Sequence, residues 1–222
     1  FTLPGLGGQS GHLYGLAKDY TATVVLAVVA VAAVRRGVFK PARYAVPPQH
    51  GQDHTGEALL VLGFIATLML SEALFEASLQ AALTQAGQLG SPPAPGSLAW
   101  LLTLGLANTG RDTLQGLHLG AYFLHDLAFF GFLCLLPLGK HFHVLTSLFN
   151  VLFLKLDKGA VKPVRWGVAD DKLDDLESFG VKKLTDFTWK HLLDFYSCAD
   201  CGRCSDNCPA NAAGRPLSPR FL

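Results

Sequence analysis

The sequence predicts an all-α, multi-pass membrane helical bundle followed by a small bacterial-ferredoxin-like iron–sulfur module. Three observations predict it. Residues 20 to 138 contain long apolar runs nearly free of charge, residues 159 to 196 are rich in Lys, Asp and Glu, and four cysteines stand close together near the end in CADCGRCSDNCP, 198 to 209. Half of the 222 residues are hydrophobic and 16% are charged, whereas a soluble domain carries about 25% charge. A net charge of +1, with no basic run interleaved with aromatics, sets nucleic-acid binding aside.

The chain starts at Phe1, holds one methionine, Met69, and stops at AGRPLSPRFL just after the cysteine run. No cleavable signal is visible. These ends predict a fragment of a longer chain.

The first span is predicted at about 13–34, built on TATVVLAVVAVAAV from Thr21 to Val34 and extended by the preceding HLYGLAK toward the ~20 residues a bilayer needs. Arg35, Arg36, Lys40 and Arg43 follow, and the positive-inside rule puts that loop in the cytoplasm. The second span, about 57–83, contains ALLVLGFIATLML and returns outward to QAGQLGSPPAPG, a loop without positive charge. Leu98 to Leu106 is apolar but too short to span, and is expected to be interfacial or re-entrant. The third span, about 113–138, leads to Lys140, Lys155, Lys158, Lys162 and Arg165, again on the cytoplasmic side. The expected organisation is therefore a transmembrane domain at 1–154, a cytoplasmic linker at 155–184 and the start of a ferredoxin-like domain at 185–222.

Cys198, Cys201, Cys204 and Cys208, with Pro209 after them, match the bacterial ferredoxin run C-x2-C-x2-C-x3-C-P residue for residue. Three thiolates two residues apart wrap a loop around one corner of a [4Fe-4S] cubane, and Gly202 lets the backbone approach it. In two-cluster ferredoxins the fourth cysteine ligates the other cluster, so Cys208 is expected to serve a second one. Disulfides are disfavoured on a cytoplasmic face, and zinc sites rarely take this three-plus-one run. Cys134, inside the third span, reads as a small buried hydrophobe.

Polar side chains inside a membrane demand a reason. On a straight helix at ~100° per residue, His118, His125 and His143 fall on one stripe, with His125 and His143 ~27 Å apart along the axis, although Pro137 should kink it. Imidazoles at two depths on one stripe suit one or two b-type haems. His54, where the second span starts, is the expected partner of His143; no partner for His125 is apparent at its depth. Glu72 and Glu76, one turn apart on the outer half of the second span, are candidates for proton exit beside a quinone site or for the solvated end of the helix. Thr185 to Tyr196 reads as an amphipathic docking helix, with Trp189 placed to shield the cluster.

The segment HDLAFFGFLCLLPLGKHFHVLTSLFNVLF, 125 to 153, resembles the last haem-binding helix of the membrane subunit of respiratory nitrate reductase. Together with FGVKKLTDFTWKHLLDFYSCADCGRCSDNCPA, 179 to 210, it is similar to the membrane-bound iron–sulfur reductases related to heterodisulfide reductase. In that family a haem-bearing membrane domain is fused to a two-cluster ferredoxin module and cysteine-rich CCG domains, and members pass electrons between an electron-transfer flavoprotein and menaquinone. The resemblance covers residues 14 to 222 and implies a multi-subunit complex in a prokaryotic cytoplasmic membrane. The nitrate-reductase pattern wants a histidine ten residues after His54, where this chain has Phe64.

The expected function is a quinone-linked, membrane-bound electron-transfer oxidoreductase, with cytoplasmic iron–sulfur or flavoprotein chemistry on one side and menaquinone on the other. Two alternatives stand beside it. One is a quinol-oxidising reductase of a cytoplasmic disulfide or other acceptor; the other is a haem-free membrane anchor for a ferredoxin module.

Overall fold

The computed structural model describes residues 9–46, 54–88, 90, 92–154, 172 and 183–221. Among them all regular structure is helical. Most of the expected linker, 155–184, lies outside the described residues.

Helix α1 (Gln9–Val34) continues through a π turn, Arg35–Phe39, and stops where Lys40 turns left-handed and donates its N–H to the Arg35 carbonyl at 3.1 Å. Helix α2 (Thr55–Gln85) ends in a glycine cap: Gly87 has φ +68°, and the Gln88 N–H reaches back to the Leu83 carbonyl at 3.0 Å. Helix α3 (Leu98–Leu106) is capped by Ser97, whose hydroxyl accepts from the Trp100 N–H. Helix α4 (Arg111–Leu135) follows. Three helical stretches, Gln9–Phe39, Thr55–Gln85 and Arg111–Leu138, are long and apolar enough to cross a membrane. In such helices every backbone group finds its partner within the segment, as lipid requires.

Two compact units divide the chain, residues 1–135 with 202–222, and residues 136–201. In the first, α2 and α4 pack along a seven-residue repeat. Leu114, Ala121 and Ala128 are buried at spacings of seven, and His118, His125 and Phe132 interleave with them at steps of four and three. Opposite stand Ser78, Ser71 and Phe64, also seven apart: Ser78 meets His118, Ser71 meets His125, and Phe64 meets Phe132 with ring centroids 6.1 Å apart. This is the knobs-into-holes pattern of antiparallel coiled coils, with small residues letting the backbones approach. A Cβ at Gly131 would sit 3.3 Å from the Phe64 ring, so glycine belongs at that crossing.

The α3 segment, expected to be interfacial or re-entrant, is a capped helix tied to α1 at its entry. Asp19 accepts from the Ala94 N–H at 2.8 Å, the Tyr20 hydroxyl donates to the Pro95 carbonyl at 2.9 Å, and Thr23 accepts from the Leu98 N–H at 3.0 Å.

The second unit opens with two 3-10 turns, Leu136–Leu138 and Lys140–Phe142, followed by α5 (His143–Leu152). Pro137 cannot donate to the ladder and its ring opposes the preceding turn. The straight-helix phase relating His118 and His125 therefore ends at Leu135 and does not run through to His143. A third 3-10 turn, Leu184–Asp186, precedes α6 (Trp189–Tyr196). The docking helix expected from Thr185 thus begins four residues later, because Phe187 is extended and Thr188 caps the true start, accepting from the His191 N–H. Helix α6 packs on α5: Phe153 meets Trp189 edge to face at 5.3 Å, and the Thr146 hydroxyl donates to the Tyr196 carbonyl at 3.0 Å. Trp189, expected to shield a cluster, uses one face on Phe153 and remains 63% exposed. Short helices α7 (Arg203–Asp206) and α8 (Pro209–Ala212) belong to the first unit.

Candidate redox and metal sites

Ser71 positions the ring of His125. Its hydroxyl lies 3.1 Å from the Leu68 carbonyl and 3.1 Å from Nδ1 of His125. With the serine proton on the carbonyl, its oxygen accepts from Nδ1–H, and in that tautomer Nε2 is the lone-pair nitrogen. A ring held this way is prepared to ligate a metal, since ligating histidines tie their other N–H to a fixed acceptor. His118 is held by the same logic one heptad earlier. A carbonyl can only accept, so Nδ1 of His118 donates to Phe75 O at 3.0 Å, while its ring stacks on Phe75 at 4.0 Å. For His118 the structure supplies an orienting partner that sequence spacing alone does not reveal.

Glu72, next to Ser71, reaches to 4.0 Å from Nδ1 of His125 with one carboxylate oxygen and to 3.1 Å from Lys18 Nζ with the other. Glu76 pairs with the same ammonium, and Asp19 lies 3.5 Å from it. Three carboxylates thus surround one lysine within membrane-length helices, with His125 at the edge. Asp19 is 7% exposed, and its second oxygen receives the Ala94 N–H. A cavity of about 10 Å³ among Lys18, Asp19, Glu72, Glu76, Leu98 and Ala99 has room for about one water. The carboxylates singled out by sequence are here, but Lys18 and Asp19 were missed. Their signal was a charged pair ten residues inside a helix otherwise built for lipid.

His54 is the N-cap of α2, with Nδ1 3.4 Å from the Glu57 carboxylate and its side chain 43% exposed. Phe64, where a second α2 histidine was wanted, packs on Gly131 and Phe132. His143 is the first residue of α5, its ring 6.2 Å from that of His141.

The cysteine run is shaped by two left-handed residues, Asp200 at φ +50° and Gly202 at φ +76°. The Asp200 N–H donates to Cys198 Sγ at 3.4 Å, a contact that stabilises a thiolate. Gly202 caps α7, which carries Cys204; Cys208 caps α8, with Pro209 at its first position. The four thiols are free of disulfides. Their donor chemistry and the turning backbone fit an iron–sulfur cluster, though among the described residues no three His, Cys, Asp or Glu side chains converge into a metal cage. Cys134, expected to be buried, is exposed on α4.

No family model matches the chain, and no solved structure matches it. Among curated proteins it is 30% identical over 163 residues to an EtfAB:quinone oxidoreductase of Syntrophomonas wolfei, covering 73% of this chain and 22% of that protein. It is 33% identical over 167 residues to a probable iron–sulfur-binding oxidoreductase, FadF, of Bacillus subtilis, covering 75% of this chain and 22% of the relative. Over 51 residues, 22% of this chain and 8% of the relative, it is 55% identical to a probable membrane-anchored ferredoxin of Chromohalobacter salexigens. The chain therefore spans about a fifth of the length of the first two relatives. These likenesses support kinship with iron–sulfur oxidoreductases of electron transfer.

Proposed function

We propose that this chain is part of a membrane-bound oxidoreductase carrying electrons between a cytoplasmic iron–sulfur protein or electron-transfer flavoprotein and menaquinone, with [4Fe-4S] and b-type haem as cofactors. The observation that carries the haem part is His125, whose Nδ1 is held 3.1 Å from Ser71, a contact that in the Nδ1–H tautomer leaves the Nε2 lone pair for a metal. When bound, these groups supply one-electron couples. Cys198, Cys201, Cys204 and Cys208 would hold the cluster, with Cys208 serving a second. His125 and His143 would hold haem, with His54 a second ligand on the His143 side.

The chain's own residues supply the rest. The Asp200 N–H stabilises the Cys198 sulfur, Ser71 orients His125, and the Lys18–Glu72–Glu76 cluster can take up and release a proton beside it. The basic residues Arg35, Arg36 and Lys40 at the end of the first span, and those after the third, favour a cytoplasmic position for the cysteine run, in a prokaryotic inner membrane. The name of the Syntrophomonas wolfei relative supports an electron-transfer flavoprotein and a quinone as partners, within a multi-subunit complex.

The test is a dithionite-reduced minus oxidised spectrum of the purified full-length protein, with pyridine haemochrome and iron quantification. A b-type α-band with iron in excess of haem supports this reading. Iron without an α-band overturns the haem part and leaves the membrane-anchored ferredoxin that the Chromohalobacter relative's name describes.

A further inference from the structure

We propose that the cavity lined by the C-terminal end of α2, by α3 and by the Pro92–Pro93 segment binds the ring of an isoprenoid quinone. The inference rests on the quinone-linked reading above and assigns it a site. The cavity measures about 300 Å³, at the lower end of the roughly 300–1,000 Å³ typical of small-molecule sites. Its lining includes Gln80, Pro92, Trp100, Thr103, Leu104 and Ala107, without a charged side chain.

That chemistry selects the ligand class. A wall of this kind rejects a charged headgroup and accepts a flat apolar ring. Thr103 spends its hydroxyl proton on the Ala99 carbonyl, and Thr84 spends its own on Gln80 O. Trp100 and Gln80, whose indole N–H and side-chain amide are hydrogen-bond donors, are among the residues that line it. Donor groups on a largely apolar wall suit a ring carrying carbonyl oxygens. The other ligand-sized cavity described, about 330 Å³ between α2 and α4, has Thr67 as its one polar lining side chain.

Position favours the same choice. Leu98 and Ala99 line the small cavity beside Lys18, Glu72 and Glu76, while Trp100, Thr103 and Leu104 line the large one. Helix α3 is thus a shared wall between a ligand-sized apolar cavity and the intramembrane charge cluster, a quinone's two requirements: a dry slot and nearby proton carriers.

The probe is heptyl-hydroxyquinoline N-oxide, a quinone analogue whose fluorescence is quenched on binding, titrated into full-length protein in nanodiscs. Ala107→Trp, on an exposed position, and Trp100→Ala should each weaken binding about tenfold or more. Trp100→Phe, which keeps a ring and deletes the donor, should fall between, and Thr67→Phe in the other cavity should bind as wild type. Unchanged helical circular dichroism and iron content exclude misfolding as the cause. Absence of binding by the wild type would overturn the quinone reading and this site with it. Wild-type binding that survives both Ala107→Trp and Trp100→Phe would overturn the site alone, as it would if a lipid chain filled the cavity.

Discussion

Ser71 and His125 meet across the α2–α4 seam: the serine hydroxyl, 3.1 Å from the Leu68 carbonyl, also lies 3.1 Å from Nδ1 of the imidazole. Replacing Ser71 by Ala leaves the small-residue packing intact but frees the ring. The expected result is an otherwise normal helical protein whose affinity for the haem proposed at His125 falls about tenfold, read as the pyridine haemochrome yield per chain. An unchanged yield would show that Ser71 only fills space.

The Lys18 cluster predicts a pairing effect. The side chains of Lys18, Glu72 and Glu76 are 23%, 33% and 32% exposed. Lys18→Met should therefore destabilise by an amount between the ~1 kcal/mol of an exposed pair and the ~3–5 kcal/mol of a buried one broken on one side. Adding Glu76→Gln should recover part of the loss, because it removes one of the stranded carboxylates. Thermal unfolding of the single and double variants in detergent checks the coupling; equal melting of the two would refute it.

Cysteine substitutions should separate into two classes. Cys201→Ser is expected to lower iron and acid-labile sulfide per chain while sparing the membrane helices. Cys134→Ser, on an exposed position of α4, should change neither. Iron analysis and far-ultraviolet circular dichroism give both readings on one sample, and iron retained in Cys201→Ser would remove that residue from the ligand set.

Asp194 predicts a pH dependence in the α5–α6 unit. Partial desolvation disfavours its charge, but hydrogen bonds from Lys190 and Asn150 and the nearby charges outweigh it, holding the carboxyl below its ordinary value. Its stabilising contribution is present above the unfolded value of ~3.9 and disappears as the pH falls through the depressed folded value. The protection of α6 amides against exchange, relative to their intrinsic rates at each pH, should fall on acidification below about pH 4, and Asp194→Asn should flatten that dependence.

Much of the bundle was legible because apolar run length is a one-dimensional signal: TATVVLAVVAVAAV and ALLVLGFIATLML announce helices by themselves. Of the candidate site, sequence could propose only residues whose chemistry and spacing sit in one segment, as in the cysteine run and in Glu72 with Glu76. Lys18 meets those carboxylates from 54 and 58 residues away, a relation that no local window contains. Ser71 directly follows the apolar run ALLVLGFIATLML; its meaning emerges from the matching seven-residue steps of Ser71 and Ser78 against His125 and His118. The phase from His125 to His143 failed for a local reason, since Pro137 was read as a bend in one helix where the chain instead makes two 3-10 turns and starts another.

The seven-residue seam also sets which insertions and deletions the chain tolerates. Adding one residue within α4 between His118 and His125 would rotate everything beyond it by ~100°, turning either an imidazole or its serine partner toward lipid. Seven residues added to α2 and α4 together at matched depth would restore the seam. Helix length in this bundle is therefore quantised, and single-residue length changes should be tolerated outside the seam, in loops such as the turn between α2 and α3.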